Sequence, residues 1–380
     1  MENFTAHNPT TIHFGKDVLG QLGLVINRYG KKVLLVYGQG SIKKNGLYNL
    51  ILKQLNHIDA DIYEFGGIKP NPVVEDVDKA ASFGRENMVD VILAVGGGSV
   101  IDSAKAISIA IPANVPAWDF IERRTVPRSA IPLVSVMTLA ATGSEMNPFA
   151  VLSNHEAELK LGYGHPLLFP KHSFLDPRLT FSVSANYTAF GMACIIGHGL
   201  EAYFGLGEEA SLADRFTLSI ISETVQFGPA LLENLGDYEL RAKIMLAAAL
   251  ALNGMTMYGR VSGEWGVRSI GHILSLLYDM PFGASLSIVY PAWLKFQRDK
   301  LGPRISLLGK NVFGTDDVDM TINRLEGFFK LLDCPVRIRQ MMGNNADSNE
   351  IIRVMTRHHV NSNVHQLTHN DYSKIVELMF

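Results

Sequence analysis

Two short apolar runs, each broken off at glycine, constrain this chain more than any other feature. Lys32–Tyr37, KVLLVY, is entered after Gly30 and left at Gly38, and residues 89–95 end in Gly96, Gly97 and Gly98. A run that is apolar on successive residues and bounded by glycine is how a strand buried on both faces looks. Between and beyond these runs the pattern alternates. Leu47, Ile51, Leu52 and Leu55 recur at helical spacing, DIYEF reads as strand, residues 73–87 as a helix opened by Pro72, 99–111 as a helix and 131–136 as a strand. Such alternation predicts a parallel sheet with helices on both faces. From Asn186 onward the chain is rich in Ala, Leu and Met at helical spacing, with few strand signals. We therefore expect an α/β N-terminal domain over 1–176 and an all-α C-terminal domain over 177–380, divided near Asp176 and Pro177.

Residues 3–15 read as an extended segment. A lone strand leaves backbone groups unpaired, so it should pair, and a second copy of the chain is the expected partner, giving a homodimer. With 47% hydrophobic and 19% charged residues in 380, the composition is that of an ordinary globular protein. A net charge of -3 with scattered Lys and Arg offers no field for nucleic acid or an anionic membrane. The apolar stretches fall short of the roughly 20 residues that span a bilayer. Two cysteines, Cys194 and Cys334, make no disulfide framework, and the first residues do not resemble a cleavable signal, so a cytoplasmic setting is expected.

The chemistry is concentrated at the glycines. In VGGGSVIDSAKAI, Gly96, Gly97 and Gly98 end a strand and let backbone approach a ligand, while Ser99 opens a helix whose free N–H groups suit a pyrophosphate. Asp102 and Lys105 follow in its first two turns. The spacing is not GxGxxG, and a plain tight turn is the competing reading. A second turn, YGQGSIKKNG, holds Gly38, Gly40, Ser41, Lys43 and Lys44. Where dinucleotide folds place an acidic residue for the ribose hydroxyls, Gly38 is neutral, and Ser41 with the two lysines could meet a 2'-phosphate. NADP(H) is therefore expected over NAD(H), against the plainer reading of two solvated lysines at a helix start. The loop TLAATGSEMN supplies Thr138, Thr142 and Ser144, small and hydroxylated, suited to lie along a nicotinamide or ribose. Lys160 completes the expected cofactor set, and the first domain is expected to bind a dinucleotide.

VGGGSVIDSAKAI, ATGSEMN, FLDPRLTFS and HGLEAYF together resemble the iron-containing (group III) alcohol dehydrogenase family, over nearly the whole chain, and YGQGSIKKNGLY resembles its NADPH-dependent aldehyde reductase and butanol dehydrogenase branch. The resemblance implies a dinucleotide domain, a helical domain, a cleft between them, and hydride transfer between NAD(P)H and a small aldehyde or alcohol, with Fe2+ or Zn2+ polarising the oxygen. Its four metal-ligand positions fall on Cys194, His198, Arg268 and Phe282, and only His198 is a ligand of the family type. His272 matches a histidine that the family keeps near the nicotinamide. Arginine and phenylalanine offer a metal no lone pair, so iron and zinc are expected to be absent. One carboxylate, three imidazoles and a divalent cation carry about +1 together, as do Cys194, His198, Arg268 and Phe282, so Arg268 could take over the cation's role. Arg268, His272 and His198 are accordingly the candidate catalytic residues, with Arg268 expected to hydrogen-bond Glu264 or a bound anion. Two alternatives stay open: a catalytically inactive nucleotide-binding homologue with a sensing or structural role, and a remodelled zinc site of Cys194, His198 and His272. His358, His359, His365 and His369 read as helix-surface residues.

Overall fold

The computed structural model describes residues 1–206 and 211–380. The chain divides into two compact units, His7–Val183 and Met1–Ala6 with Ser184–Phe380.

The first unit is built on a six-stranded sheet. Its strands are β1 (Thr11–Phe14), β2 (Lys32–Tyr37), β3 (Asp61–Phe65), β4 (Val91–Gly96), β5 (Leu133–Met137) and β8 (His172–Leu175), all paired in parallel in the order β1-β8-β5-β4-β2-β3. The two remaining strands, β6 (Phe149–Asn154) and β7 (Leu159–Gly164), form a separate antiparallel hairpin. Every residue of β4 is buried, which is why its sequence is apolar without alternation. Helices Leu47–Asn56, Val74–Glu86 and Gly98–Ala113 alternate with the strands. Ile51 and Leu55 pack into one buried cluster with Val33, Leu35, Val91, Leu93 and Val95.

Chain order fixes where a ligand can sit. From β2 the chain moves outward to β3, then returns to lay β4 on the other side of β2. That reversal makes the carboxyl ends of β2 and β4 the switch point, the crevice open α/β sheets use for ligands. Tyr37 pairs with Val95, so Gly38 and Gly96 follow in step.

The N-terminal segment departs from expectation. β1 pairs with β8 of its own chain, Thr11 opposite His172, so a second copy is not needed to satisfy that side. The other side of β1 is the sheet's open edge. Residues before it join the helical unit, where the Glu2 amide donates to the Gly259 carbonyl at 3.1 Å and Phe4 stacks on Tyr258. The β6–β7 hairpin and β8 were not anticipated; β7 carries two glycines and β8 spans four residues, too short for a periodic signal.

In the second unit, the long helices include Ala185–Tyr203, Ser211–Glu233, Tyr238–Ala251, Gly266–Tyr278 and Phe282–Phe296. Among the described residues its extended pairing is confined to an isolated bridge between Leu206 and Ser262. Ala185–Tyr203 is buried along almost its whole length, the central position in a helical layer. No described helix is long and apolar enough to cross a membrane.

Candidate functional site

At the end of β4 the chain turns through Gly97 into the helix Gly98–Ala113, leaving the Gly98 and Ser99 amides without an intrahelical acceptor. Gly98 cannot carry a side chain here. A Cβ on it would stand 2.3 Å from Thr142 Oγ1, because the loop after β5 crosses the helix start. The Thr138 amide donates to the Gly96 carbonyl at 3.0 Å, tying that loop to the glycine turn. Ser99 Oγ donates to the Pro70 carbonyl. At the end of β2, Gly40 has φ +102°, a left-handed conformation that opens the short helix Ser41–Lys44. The two glycine turns thus meet at the switch point, with free amides at a helix start, and these features fit a dinucleotide's phosphates.

Asp102, Ser144 and Lys160, all expected to meet the cofactor, are held by protein groups. Asp102 accepts from Ser144 Oγ at 2.5 Å and from the Val151 amide at 3.0 Å. Lys160 Nζ donates to Asn71 Oδ1 at 2.7 Å. Beneath the loop lies Lys105, fully buried, donating to Ser144 Oγ at 2.8 Å, Asn147 Oδ1 at 3.0 Å and the Phe149 carbonyl at 2.7 Å. Burial lowers its pKa to about 8, against the attraction of Asp102 and Glu145. Burial likewise pushes Glu145 up to about 7, and its Oε2 is buried without a hydrogen-bond partner. Sequence spacing brought out Lys105 but not Glu145, which looked like one polar residue of a loop.

Glu64, at the end of β3, is a second residue the sequence did not bring out. Its carboxylate accepts from Tyr37 Oη at 2.9 Å and from Tyr48 Oη, and Lys43 Nζ stands 3.4 Å away over both rings. Lys43 thus has a carboxylate partner that the sequence reading did not foresee. Lys44 is exposed, with no ion pair among the described residues.

The helical unit gathers the other candidates. Cys194, His198 and Glu201 lie on Ala185–Tyr203, Arg268 and His272 on Gly266–Tyr278, and Phe282 opens Phe282–Phe296. The Phe282 ring lies 6.4 Å from the His198 ring and 5.1 Å from that of His272, centre to centre. Arg268 Cζ stands 5.4 Å from the Trp265 ring and 5.6 Å from that of Phe282. Its partner is Glu201: Nε donates to Oε1 at 3.0 Å and Nη2 to Oε2 at 2.6 Å. The expected partner, Glu264, instead accepts from the Gly266 amide at 2.8 Å and Ser362 Oγ at 2.5 Å. Glu264 stands two residues before the start of the helix that carries Arg268, and its carboxylate is used in turning the chain into it.

Electrostatics follow from this pair. Burial opposes Arg268's charge, yet the Glu201 carboxylate more than offsets it, and the net shift is upward. Burial, then the Arg268 charge, holds His198 well below the usual imidazole range, so it is neutral at neutral pH, and its Nδ1 is buried without a partner. With Glu201 included, the cluster sums to zero rather than about +1.

The donor set does not fit a divalent cation. Arg268 and Phe282 have no lone pair to give, and the guanidinium lies against the one carboxylate it touches. Among the described residues no three His, Cys, Asp or Glu side chains are grouped to hold a metal ion.

Comparison with known proteins agrees with this layout. Residues 9–177 match the family described as iron-containing alcohol dehydrogenase, and 188–380 match the C-terminal domain of the Fe-containing alcohol dehydrogenase family. The chain is 39% identical over 346 residues to the probable NADH-dependent butanol dehydrogenase 1 of Bacillus subtilis (strain 168), covering 89% of each. It is 35% identical over 347 residues to the NADPH-dependent aldehyde reductase YqhD of Escherichia coli (strain K12), again covering 89% of each. The crystal structure of NADH-dependent butanol dehydrogenase A from Thermotoga maritima superposes with a TM-score of 0.96 at 34% identity, covering 100% of this chain and 99% of that one. The chain belongs to the iron-containing alcohol dehydrogenase family.

Proposed function

We propose that this protein is an NAD(P)H-dependent oxidoreductase that reduces a small aliphatic aldehyde to its primary alcohol, or runs the reverse reaction. The observation that carries the reading is the meeting of two glycine turns and a helix start at the switch point between β2 and β4. Relatives named butanol dehydrogenase and aldehyde reductase support the substrate class. Gly96, Gly97, Gly98 and Ser99 hold the pyrophosphate. Gly38, Gly40 and Ser41 take the adenosine ribose, and Lys44 meets the 2'-phosphate that makes NADPH the preferred cofactor. Thr138 and Thr142 line the nicotinamide end, where Thr142 Oγ1 accepts from the Ser144 amide and Ser144 Oγ donates to Asp102.

When bound, the nicotinamide supplies a hydride to the carbonyl carbon. Arg268 donates hydrogen bonds to the carbonyl oxygen and steadies the negative charge that develops there, as preorganised donors do. His272 delivers the proton that completes the alcohol. His198, held neutral, serves as a hydrogen-bonding wall. No step runs through a metal, because the residues at the family's ligand positions do not fit one. The protein acts as a homodimer, joined at the open edge of β1.

Titration with NADPH and NADH, followed by turnover of butyraldehyde, tests the reading. We expect tighter binding of NADPH and measurable reduction. Equal or tighter binding of NADH removes the Lys44 assignment, and failure to bind either removes the dehydrogenase reading. Binding without turnover favours a nucleotide-binding protein that has lost catalysis, a reading motivated by the replaced ligand positions.

A further inference from the structure

We infer that Glu201 is a positioning residue, and that Glu201 and Arg268 act as one neutral hydrogen-bonding unit in place of the family's cation, selecting uncharged aldehydes over those that carry a carboxylate. The inference rests on the reductase reading above and adds to it a residue and a selectivity.

The geometry points to a built unit rather than a chance pair. Glu201 is entirely buried in the middle helix, and both of its oxygens are taken by one guanidinium, through Nε and Nη2. A two-bond fork fixes the plane of the guanidinium as a single bond does not. Trp265 and Phe282 stand near the same group. With Nε and one N–H of Nη2 committed, Nη1 and the second N–H of Nη2 are left to donate, and the Arg268 side chain keeps 18% of its surface exposed. A donor held rigidly by its own carboxylate needs no reorganisation when charge appears on a carbonyl oxygen.

Neutrality sets the selectivity. A lone arginine in such a place would attract a carboxylate and hold it by a fork of its own. Here the Nε and Nη2 side of the guanidinium is taken by Glu201, and the charge that would draw a second carboxylate to its other edge is cancelled beside it. An aldehyde bearing a carboxylate near the carbonyl would bring an unpaired negative charge next to Glu201, whereas an uncharged aldehyde brings none.

The test compares the wild type with Glu201→Gln and Arg268→Lys. For the wild type we expect butyraldehyde to exceed succinic semialdehyde in kcat/KM by at least about 10-fold, with no loss of rate after dialysis against EDTA. Glu201→Gln keeps the side chain's size but leaves the guanidinium charge unbalanced. It should lower kcat on butyraldehyde by about 10-fold or more, leave NADPH affinity unchanged, and shift the selectivity ratio about 10-fold toward succinic semialdehyde. Arg268→Lys keeps the charge but loses the fork, and should lower kcat without changing NADPH affinity. A further readout needs no turnover: butyrate binding by calorimetry, weak in the wild type, should strengthen in Glu201→Gln and vanish in the Glu201→Gln, Arg268→Met double variant. Unchanged selectivity and unchanged butyrate affinity in folded Glu201→Gln overturn the inference, as does a wild type that prefers succinic semialdehyde or loses activity to EDTA. If Glu201→Gln does not fold, the wild-type ratio and the EDTA result decide it. NADPH binding with no turnover defeats the reductase reading alone, since the butyrate measurement still reads the pair.

Discussion

Gly98 shows how one missing side chain lets two segments meet. A Cβ there would stand 2.3 Å from Thr142 Oγ1, well inside contact distance, so the loop after β5 must move if the glycine is replaced. Gly98→Ala is expected to weaken dinucleotide binding by at least about 10-fold and to cost about 1–3 kcal/mol of stability, the usual range for an overpacked site. Equilibrium titration with NADPH and urea unfolding measure the two effects. Thr142→Ala in the same chain removes the colliding hydroxyl and should recover most of the stability; no recovery would show that the loop is not what the methyl group meets. Glu201 and Arg268 illustrate the opposite case, in which a residue depends on its partner. Removing either from a buried pair leaves an unbalanced charge, at a cost of about 3–5 kcal/mol.

At the scale of elements, β1 is where assembly is decided. The Thr11 and Gly15 amides donate to the Lys171 and Leu175 carbonyls, so the amides between them at Ile12 and Phe14 face the open edge. An unprotected edge is a template for another strand. Ile12→Pro removes one outward donor and spares those that bond β8. We expect the variant to fold and to sediment as a monomer at micromolar concentration where the wild type sediments as a dimer. A wild-type monomer, or a variant that stays dimeric, refutes pairing at this edge.

For the whole molecule, pH dependence follows from the buried pair under the loop. Glu145 has a folded-state pKa of about 7 against an ordinary value of 4.5, with burial the main cause. The folded state therefore holds its proton more tightly than the unfolded chain, so this contribution to stability is fully present below pH 4.5 and is lost as pH rises through 7. A shift of that size corresponds to about 3 kcal/mol. Lys105 is the mirror case: with its pKa down at about 8, stability lost to its buried charge returns as pH rises from 8 toward 10.5. Glu145→Gln should be more stable than the wild type above pH 7 and equal to it below pH 4.5, as read from urea unfolding at several pH values. The same gain at all pH values would mean that packing, not ionisation, sets the cost.

The sequence alone determined what depends on near neighbours and on side-chain chemistry. Strands such as Lys32–Tyr37 and Val91–Gly96 were legible because burial on both faces demands an unbroken apolar run. The glycine turns were legible for the same local reason, and so was the unfitness of Arg268 and Phe282 as metal ligands, which no fold can change. Tertiary structure alone decided the pairings between distant residues. Glu201 and Arg268 are 67 residues apart, and Lys105 reaches acceptors 39 to 44 residues away, so no local pattern names the partner. Lys43 looked free for a phosphate until the parallel pairing of β2 and β3 brought Glu64 beside Tyr37. β1 looked like a strand in need of a second copy until β8, invisible as four residues, took one of its sides. Periodicity reports which face of an element is buried, whereas the identity of what covers it depends on packing of the entire chain.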